Sequence, residues 1–520
     1  MEAISEAPEP SQEPVFALLS DPATHGGETV KRIDTHAASV FLAGDRALKI
    51  KRAVFFPFLD YSTLEKRKAA CEMELSVNRP FAPEIYRGVV AITRAPDGTL
   101  TIAGDGEPVE WAVEMRRFDE SATLDHLAAA GRINAELADT LGRTVMAAHA
   151  SAPQVEAEPW IAALGDYIEQ NDTAFRELPA LFPAAEINAL TDASRAAHAR
   201  VAPLLRERGR LGLIRRGHGD LHLGNIVLID RRPVLFDAIE FSPLIASGDV
   251  LYDLAFLLMD LVERGLTPQA NILFNRYLIE ARRISDLDAL AALPLFLSVR
   301  AAIRSKVTAA RIERAPPDGQ EKVRNAARQY FDFARRFIAP VPPQLIAVGG
   351  LSGTGKSLLA RALAAEIAPA PGAVVLRSDI ERKLLLGSHE QAKLPPDSYT
   401  PAVNLRVYAG VVDKARRAVA AGHSAVVDAV FAAPPERTGV ERSAAVLGVP
   451  FRGLFLTADL ATRRQRVGAR RGDASDADAA VVERQEEYDL GGLDWLRVDA
   501  SGTPEQTLEH ARTALRPQGD

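Results

Sequence analysis

The sequence predicts a multidomain protein of the α/β and α+β classes, and three observations support this. The chain has 520 residues, whereas a single domain usually takes about 100–200. The segment APVPP at 339–343 has three prolines in five residues, which favours a stiff boundary between domains. After it, short apolar strands alternate with helical stretches, a pattern typical of a doubly wound parallel sheet.

The domain organisation follows from these changes of pattern. Before the proline-rich segment, a mixed α/β stretch precedes a long stretch of helical patterns rich in Ala, Leu, Arg and Glu. We predict a disordered tail at 1–12, an N-terminal domain at 13–338 with a small lobe at about 13–118 and a helical lobe at about 119–338, a linker at 339–343, and a C-terminal domain at 344–520.

Composition and charge exclude several classes of protein. Apolar residues make up 47% of the chain, which is globular, and the net charge of −7 argues against general nucleic-acid binding. The single cysteine, Cys71, excludes an intrachain disulfide and a cysteine-rich zinc site and fits a reducing compartment. The acidic first residues lack the features of a signal peptide, and no apolar run reaches the roughly 18 residues of a membrane span. We therefore expect a cytoplasmic protein.

Local patterns place two elements of the small lobe. Ser39–Arg52 alternates around the turn signal Gly44-Asp45, which predicts a β-hairpin. Ser62–Arg79 has a helical pattern. Because Ser62 and Glu65 have the spacing of a capping box, we predict Ser62 as the N-cap of this helix.

Short strands are also predicted in the rest of the chain. Two of them, turning at Arg231–Pro233, interrupt the helical lobe. After the linker, buried strands are predicted at Gln344–Val348, Ala373–Asp379, Ser424–Val430 and Gly453–Asp459.

A phosphate-binding loop is predicted directly after the first C-terminal strand. GLSGTGKS at Gly350–Ser357 matches G-x-x-x-x-G-K-[ST] between a strand and a helix, the context that this motif requires. Lys356 supplies positive charge to the β- and γ-phosphates, and the Ser357 hydroxyl is a ligand for Mg²⁺. The glycines let backbone N–H groups close around phosphate oxygens, and the helix N-terminus adds its dipole. The other loop residues expected to bind the nucleotide are Gly350, Ser352, Gly353, Thr354 and Gly355.

Two acidic residues lie at the C-terminal ends of predicted strands after the linker, where open α/β sheets bind ligands. Asp428 in AVVDAV is placed to hold Mg²⁺ through water, and Asp379 in SDIER is a candidate to accept a proton from a substrate hydroxyl. Arg382, one helical turn after Asp379, is placed to hold an anionic group. The alternative for each aspartate is that it serves as a helix N-cap.

An arginine-rich stretch at Leu460–Ala480 predicts a helix–loop–helix lid over the transferred phosphates. Its arginines are Arg463, Arg464, Arg466, Arg470 and Arg471. Arg466 and Arg470 have i, i+4 spacing, which puts them on one helical face, and we predict that this pair binds phosphate. The alternative is a solvated basic helix face.

On these motifs, residues 344–515 resemble the P-loop small-molecule kinases, among them the zeta-toxin-like and gluconate-kinase-like families. The resemblance rests on the phosphate loop, SDIER, VVDAVF and the arginine-rich lid. It implies a P-loop NTPase fold with a doubly wound parallel sheet. It also implies that Asp379 orients or deprotonates the acceptor hydroxyl.

A second set of phosphotransfer residues is predicted in the N-terminal domain. HGDLHLGN places Asp220 five positions before Asn225, and FDAIEF follows with Asp237. This spacing suits Asp220 as the acceptor of a hydroxyl proton, with Asn225 and Asp237 as hard oxygen ligands of Mg²⁺ bound to nucleotide phosphates. His218 and His222 have no third soft ligand nearby in the sequence, so we interpret them as residues that brace the loop and not as zinc ligands.

Around this motif, residues from about 15 to 338 resemble the aminoglycoside phosphotransferase and choline-kinase-like branch of the protein-kinase-like fold, which has HGDxHxxN where protein kinases have HRDxxxxN. The resemblance implies a bilobal fold and a Lys49 that binds the α/β-phosphates and pairs with Glu74 or Glu72. It also implies that Asp253 braces the catalytic loop. The Gly-rich loop of protein kinases is absent before Lys49, where the chain reads THAASVFLAG.

The sequence therefore predicts an ATP-binding, Mg²⁺-dependent phosphotransferase with two nucleotide sites, each passing a γ-phosphoryl group to a hydroxyl of a small molecule. The order of the halves resembles a bacterial group described as bifunctional aminoglycoside phosphotransferase/ATP-binding proteins, a name that records homology and not a substrate. Two alternatives stay open: one half is a regulatory nucleotide-binding or pseudo-kinase module, or the C-terminal half is a toxin-like or protein-directed kinase. The acceptor, the nucleotide preference and the oligomeric state do not follow from the sequence.

Overall fold

The computed structural model describes residues 11–56, 59–470 and 472–516, and its contacts group the chain into two compact units. The first unit holds the chain up to Ile133 together with Thr144–Ala163 and Arg206–Leu257, and the second holds Asn134–Arg143, Leu164–Leu205 and the chain from Leu258 onward. This division differs from the predicted domains, because helices upstream of the linker at 339–343 group with the C-terminal strands.

Gln12 is ordered, although we expected it in a disordered tail at 1–12. Its Nε2 donates to Lys51 O at 2.9 Å and to Glu110 Oε2 at 2.7 Å, and its Oε1 accepts from the Ala53 N–H at 2.8 Å. These three hydrogen bonds fix the residue against the small lobe, so Gln12 does not belong to a disordered tail. Residues 1–10 lie outside the described residues.

The small lobe is an antiparallel sheet with two helices. Its elements are α1 (Glu13–Ser20), β1 (Val30–Asp34), β2 (Ala38–Ala43), β3 (Arg46–Lys51), β4 (Phe55–Phe56), β5 (Leu59–Asp60), α2 (Leu64–Asn78), β6 (Tyr86–Arg94), β7 (Leu100–Ile102) and β8 (Glu107–Arg116). The main sheet has the order β1-β2-β3-β8-β6-β7. Strands β2 and β3 pair up to Ala43–Arg46, so the hairpin predicted at Gly44-Asp45 is confirmed.

Helix α2 begins one residue later than predicted. Thr63 is its N-cap and accepts a hydrogen bond from the Lys66 N–H. Ser62, the predicted cap, instead donates its hydroxyl to Asp60 Oδ1 at 2.6 Å. The capping-box spacing therefore pointed to the right end of the helix but to the wrong hydroxyl.

The chain after the small lobe is mainly helical, as expected. Its elements are α3 (Leu124–Ala129), α4 (Ala135–Ser151), α5 (Ala157–Arg176), α6 (Ala184–Arg210), β9 (Ile214–Arg216), β10 (Ile226–Ile229), β11 (Arg232–Leu235), α7 (Pro243–Ala246), β12 (Ser247–Asp249), α8 (Val250–Glu263), α9 (Thr267–Ala281), α10 (Ile284–Asp288), α11 (Leu293–Ala309) and α12 (Gln320–Ile338). Within the described ranges, no helix has both the length and the hydropathy needed to cross a bilayer.

The β10–β11 hairpin positions the loop that carries HGDLHLGN. It turns at Asp230-Arg231, one residue before the predicted turn, and both residues have positive φ. Val227 of β10 and Val234 of β11 are buried in one apolar cluster with Cys71 of α2. The strands that flank the candidate catalytic residues therefore pack against the small-lobe helix within the first unit.

The C-terminal part is a parallel sheet covered by helices. Its elements are β13 (Leu345–Gly350), α13 (Lys356–Ala364), β14 (Val374–Arg377), α14 (Ser378–Leu385), α15 (Pro401–Ala420), β15 (Ala425–Asp428), α16 (Pro434–Leu447), β16 (Phe451–Thr457), α17 (Leu460–Ala469), α18 (Ala479–Arg484), β17 (Leu496–Asp499) and α19 (Pro504–Leu515). The order is β14-β15-β13-β16-β17, and every adjacent pair is parallel. The predicted doubly wound sheet is confirmed, and the carboxyl ends of its strands meet at one edge.

Gly453 on β16 allows a test of packing in this sheet. A Cβ there would lie 2.4 Å from the indole of Trp495, whose ring is packed against Phe431 and Phe451. We expect Gly453→Ala to lower the free energy of unfolding by about 1–3 kcal/mol, because the ring must move. In the control Gly439→Ala on α16, the added Cβ meets no described atom within 4 Å, so helix propensity should raise stability by up to about 1 kcal/mol. Denaturant unfolding compares the two, and equal free energies would contradict the packing argument.

Candidate functional site

Lys49 on β3 lies in the first cluster of charged side chains. Its Nζ donates to Glu74 Oε1 and to Asp237 Oδ1, both at 2.8 Å. Glu74 on α2 is fully buried, whereas Glu72 is exposed and lies 3.7 Å from Lys68. The helix partner of Lys49 is therefore Glu74, which decides between the two glutamates that the sequence left open.

The groups of this cluster hold each other in the charged form. Burial lowers the pKa of Lys49, but the carboxylates of Asp237 and Glu74 outweigh burial and raise that pKa well above its usual value. Burial likewise raises the pKa of Glu74, but the charges of Lys49 and Lys51 lower it to about 2. Lysine and glutamate are both ionised at neutral pH.

A second lysine on β3, Lys51, belongs to the same cluster and was not predicted. Its Nζ lies 2.5 Å from Glu74 Oε2 and also donates to Glu240, which accepts from the Tyr61 hydroxyl at 3.2 Å. Lys51 is only 2% exposed. The spacing of Lys49 and Lys51, two residues apart on one strand, puts both on the same face and is the sequence signal that identifies the second lysine.

Asp253 on α8 holds the loop that carries HGDLHLGN. Its Oδ2 accepts from the His218 N–H at 2.9 Å, and its Oδ1 accepts from the Gly219 N–H at 3.0 Å. Gly219 has φ +80°, and a Cβ there would lie 2.9 Å from Ala246 Cα, so the turn requires glycine. His149 on α4 lies 3.2 Å from the same Oδ2, a contact that motif spacing does not reveal. The brace implied by the family resemblance is present.

The His218 ring supports the loop from its other side. Its Nε2 lies 2.9 Å from Phe236 O, the carbonyl immediately before Asp237. Burial lowers the pKa of His218, which favours the neutral ring. A buried neutral histidine bonded to a backbone carbonyl agrees with the prediction that it braces the loop.

Asp220 and Asn225 contact each other across the same loop. Asn225 Nδ2 donates to Asp220 Oδ2 and to Asp220 O, both at 3.0 Å. The amide oxygen of Asn225 is then the atom of this side chain that suits Mg²⁺. Asp237 follows with φ +60°, an unusual value for a residue with a Cβ, and its N–H donates to the Tyr86 hydroxyl at 3.1 Å. The donor set is made of hard oxygens, which fits Mg²⁺.

The phosphate loop has the predicted strand–loop–helix context, between the end of β13 at Gly350 and the start of α13 at Lys356. Gly350 and Gly353 have φ +139° and +85°. A Cβ at Gly350 would lie 2.7 Å from Leu456 O, and one at Gly353 would lie 2.5 Å from Arg463 O. The loop backbone therefore needs glycine at both positions, for conformation and for space.

Lys356 and Ser357 lie where the motif places them. Lys356 Nζ donates to Leu351 O of its own loop at 3.1 Å, and Ser357 Oγ donates to Asp428 Oδ2 at 2.5 Å. Burial lowers the pKa of Lys356, and the charges of Asp428 and Asp379 oppose that shift. A hydroxyl and a carboxylate side by side form an oxygen pair that fits Mg²⁺.

Arg377, the last residue of β14, joins this oxygen pair to the lid and was not predicted. Its Nε donates to Asp428 Oδ2 at 3.2 Å, and its Nη2 donates to both carboxylate oxygens of Asp473 at 3.0 and 3.1 Å. Burial lowers the pKa of Arg377, but Asp428 and Asp473 raise it above its usual value. The sequence signal is a basic residue at the carboxyl end of a buried strand, opposite Asp428 in the β14–β15 register.

Neither C-terminal aspartate is a helix N-cap. Arg377 is the N-cap of α14 and Asp379 lies in the first turn, while the N-cap of α16 is Ala433, five residues after Asp428. The alternative reading of both aspartates is therefore wrong. Burial raises the pKa of Asp379, and the charges of Arg377 and Lys356 oppose that rise.

The predicted arginine pair of the lid is not formed. Helix α17 ends at Ala469, and Arg470 has extended backbone with ψ 136°, so Arg466 and Arg470 do not share a helical face. Arg466 instead donates to Ala500 O and Gly502 O, both at 2.6 Å. Three carbonyl groups after β17 hold its guanidinium. The shared face with Arg470 is therefore wrong, and the binding of phosphate by Arg466 stays a prediction.

Two other lid arginines lie near the phosphate loop. Arg463, which is not part of the predicted phosphate-binding pair, donates from Nε to Ser352 O at 3.0 Å and is 2% exposed. The positive charge of Arg470 contributes to the lowered pKa of Lys356, after burial, which is the largest cause. Arg470 Nη1 is buried and has no hydrogen-bond partner among the described residues. Arg471 lies outside them.

Acidic residues of the lid contact cations on the side of Asp379. Asp473 binds Arg377, and Asp476 accepts from Lys383 Nζ at 2.7 Å and from the Tyr399 hydroxyl at 2.5 Å. The guanidinium of Arg382 stacks over the Tyr399 ring at 4.7 Å. Within the described part of the chain, Arg382 Nε is buried without a hydrogen-bond partner. On this side of the site, two of the three cationic side chains, those of Arg377 and Lys383, are paired with lid carboxylates.

Comparison with family models identifies both halves. Residues 109–293 match the model of the phosphotransferase enzyme family, APH, and residues 345–488 match the model of an AAA domain. The chain thus carries an APH phosphotransferase domain and a P-loop kinase domain of the AAA type. Both resemblances and the class of ATP-dependent phosphotransferase that the sequence predicted are confirmed.

Relatives and solved structures resemble the chain in whole or in part. Uncharacterized proteins of Mycobacterium tuberculosis and Mycobacterium bovis are 29% identical over 496 residues, which cover 92% of this chain and 94% of each relative. A gluconokinase structure from Sinorhizobium meliloti is 22% identical, and the match covers 34% of this chain and 92% of the gluconokinase chain, with a TM-score of 0.25. A choline/ethanolamine kinase family protein from Mesorhizobium loti is 15% identical, covers 62% and 99%, and has a TM-score of 0.37.

Lys51→Met tests the charge cluster of the first unit. The change leaves the carboxylates of Glu74 and Glu240 with one cation fewer in a buried setting, so we expect a loss of about 3–5 kcal/mol in the free energy of unfolding. Lys68→Met is the control, since Lys68 is half-exposed, beside Glu72 and over the Trp111 ring, and its loss should cost about 1 kcal/mol or less. Urea unfolding of both variants measures the difference. If Lys51→Met unfolds at the same urea concentration as Lys68→Met, the cluster does not contribute as described.

Proposed function

We propose that each half of the chain binds one Mg²⁺·ATP and transfers its γ-phosphoryl group to a hydroxyl of a small molecule. The observation that carries the proposal is that each half pairs a phosphate-directed group with a carboxylate suited to Mg²⁺: Lys49 with Asp237 at 2.8 Å, and Ser357 with Asp428 at 2.5 Å. Catalysis would then depend on positioning and charge neutralisation, as phosphoryl transfer requires.

In the N-terminal half, Asp220 accepts the proton of the acceptor hydroxyl. The oxygen of that hydroxyl forms a bond to the γ-phosphorus, and the bond between the γ-phosphorus and the leaving oxygen of ADP breaks. Lys49, held by Glu74, neutralises charge on the α- and β-phosphates. Asn225 and Asp237 would hold Mg²⁺, which supplies further charge neutralisation at the phosphates. The hydrogen bond from Asn225 to Asp220 keeps the base in place.

In the C-terminal half, Asp379 is the base, and Lys356 with the loop N–H groups binds the phosphates. Ser357 and Asp428 would hold Mg²⁺. The buried guanidinium groups of Arg377 and Arg382 support an acceptor that carries an anionic group beside its hydroxyl, because a buried arginine nitrogen needs an acceptor atom. The two halves therefore need not share a substrate.

One observation favours a second candidate for the N-terminal half, a regulatory nucleotide-binding module. The turn between β1 and β2, in the stretch that lacks the Gly-rich loop, is short and closed by Thr35, whose N–H donates to Ala38 O at 2.8 Å. Such a turn offers few free N–H groups to phosphates. Titration of the Lys356→Ala protein with ATP distinguishes the candidates, since binding without turnover would favour the regulatory module.

Asp220→Ala and Lys356→Ala in the full chain test the two-site proposal. We expect each variant to lose one part of ATP consumption over a panel of sugars, amino alcohols, nucleosides and aminoglycosides, by about 10²–10⁴-fold for loss of the base. The double variant should lose both parts. The exposed residues Asp318 and Lys322 provide matched controls, Asp318→Ala and Lys322→Ala, which should keep full activity. Unchanged consumption in both site variants over the whole panel would refute the proposal.

The pH dependence of the P-loop reaction tests the assignment of Asp379. A base must be ionised to act, so activity is present above its pKa and is lost as the pH falls through it. Because burial raises the pKa of Asp379, we expect the acid limb of kcat/KM to lie above the ordinary range of an aspartate. The profile is measured in the Asp220→Ala background, where only the P-loop site turns over. An acid limb at the ordinary position of an exposed carboxyl group would count against Asp379 as the buried base.

A further inference from the structure

The outer edge of β14 is covered by a helix from the N-terminal half. Strand β14 is an edge strand of the sheet, whose order is β14-β15-β13-β16-β17. Among the described residues, no strand pairs with its other side. An edge strand presents backbone N–H and C=O groups that need partners. Helix α9 supplies them, and it belongs to the same compact unit as the C-terminal sheet.

Two asparagines of α9 bind backbone groups at the start of β14, at Val375 and at Ala373 immediately before the strand. The Val375 N–H donates to Asn275 Oδ1 at 2.7 Å, and Asn275 Nδ2 donates to Ala373 O at 3.2 Å. Asn271 Nδ2 donates to the same Ala373 O at 3.0 Å. One amide side chain thus accepts and donates in the way that a neighbouring strand would. Both asparagines are buried, with exposures of 9% for Asn275 and 1% for Asn271.

The approach of α9 to the strand is close. Gly372, just before β14, has φ +108°, and a Cβ there would lie 2.7 Å from Asn271 Nδ2. His423, just before β15, packs its ring against Phe274 at 5.4 Å and lies 2.9 Å from Gly372 O through Nε2. A larger residue at position 372 would push the helix and the strand apart.

Ion pairs hold two further segments of the P-loop part to the same region. Arg276 on α9 is 7% exposed and donates to Glu390 at 2.5 Å, in the segment after α14. Arg417 on α15 lies 2.9 Å from Asp288 at the end of α10. The contact therefore includes the start of β14, the segment after α14 and helix α15.

Strand β14 leads directly into the reacting end of the P-loop site. It ends at Arg377, which binds Asp428, and Asp379 follows two residues later. A shift of the strand would move the guanidinium of Arg377 and the carboxylate of Asp379 together. A displacement of about 1 Å near reacting groups can cost about a hundredfold in rate. The phosphate loop follows β13, and strand β15 lies between β13 and β14. Binding of the nucleotide by this loop therefore depends less on the position of β14.

From this arrangement we propose that Asn275, assisted by Asn271, is a positioning residue of the P-loop kinase reaction. It holds β14 where Arg377 and Asp379 face the acceptor. Helix α9, which lies upstream of the linker, then contributes to the reaction of the C-terminal kinase by positioning β14. The two halves are therefore not independent modules. The inference rests on the proposed function of the P-loop half.

The test is Asn275→Leu in the full chain with Asp220→Ala as background, so that only the P-loop site turns over. Leucine has the same number of side-chain heavy atoms and the same branch point as asparagine, but it makes neither hydrogen bond. We expect hydrogen exchange in the peptide 372–379 to become about ten- to a hundredfold faster, because a buried N–H loses its partner. We also expect turnover below the melting temperature to fall by about tenfold or more, while the Kd of a non-hydrolysable ATP analogue changes by less than about twofold.

Two variants serve as comparisons. Asn271→Leu keeps the hydrogen bond that Asn275 accepts from Val375 and the one that it donates to Ala373, so its effects should have the same direction and a smaller size. It also replaces Asn275→Leu if that variant does not fold. Asn188→Leu on α6 is a matched control, because Asn188 is exposed and distant in sequence from the sheet, and it should change neither exchange nor turnover.

Two results would overturn the positioning of β14 by Asn275. Unchanged exchange in 372–379 would show that the amide contact does not hold the strand. Faster exchange with unchanged turnover would show that Asn275 stabilises the strand without positioning the reaction. If the Asp220→Ala background has no turnover that depends on Lys356, the proposed function of this half fails, and the exchange measurement still decides whether Asn275 holds β14.

Discussion

Pairing of buried charges is the constraint on which both candidate sites depend. A lysine or carboxylate taken out of water costs several kcal/mol unless an opposite charge and hydrogen bonds compensate. Glu74 lies between Lys49 and Lys51, and Arg377 lies between Asp428 and Asp473. Lys49 is therefore held by a carboxylate from helix α2, and Ser357 is held by Asp428 from strand β15. In both cases a partner from another element determines where the group expected to contact phosphate or Mg²⁺ lies.

The same constraint joins distant segments into the P-loop site. The lid contributes Asp473 to Arg377, and α9 contributes the amide of Asn275 to the backbone of β14. Backbone groups at a sheet edge need partners as buried charges do, and here side chains supply them. The second compact unit therefore contains helices from both sides of the linker at 339–343, which explains why its limits differ from those of the family models.

Two different scaffolds present similar groups to the proposed reactions. In the proposal, each half uses a lysine to bind phosphate, hard oxygen ligands to hold Mg²⁺ and a carboxylate to accept a proton. In the N-terminal half the proposed base, Asp220, lies on a loop braced by Asp253 through two backbone N–H groups. In the C-terminal half the proposed base, Asp379, lies in the first turn of α14, at the carboxyl edge of a parallel sheet. Phosphoryl transfer needs positioning and charge compensation, and either scaffold supplies both.

The sequence by itself determined the features that a few consecutive residues control: the turn at Gly44-Asp45, the phosphate loop from Gly350 to Ser357 and the spacing of Asp220 and Asn225. These depend on backbone geometry and on side chains a short distance apart. Only the tertiary structure decided that Glu74 binds Lys49, and that Arg377 binds a lid carboxylate 96 residues away. It also decided that α17 ends at Ala469, which separates Arg466 from Arg470. The partner of a buried group depends on which elements pack together, and residue spacing carries no record of that packing.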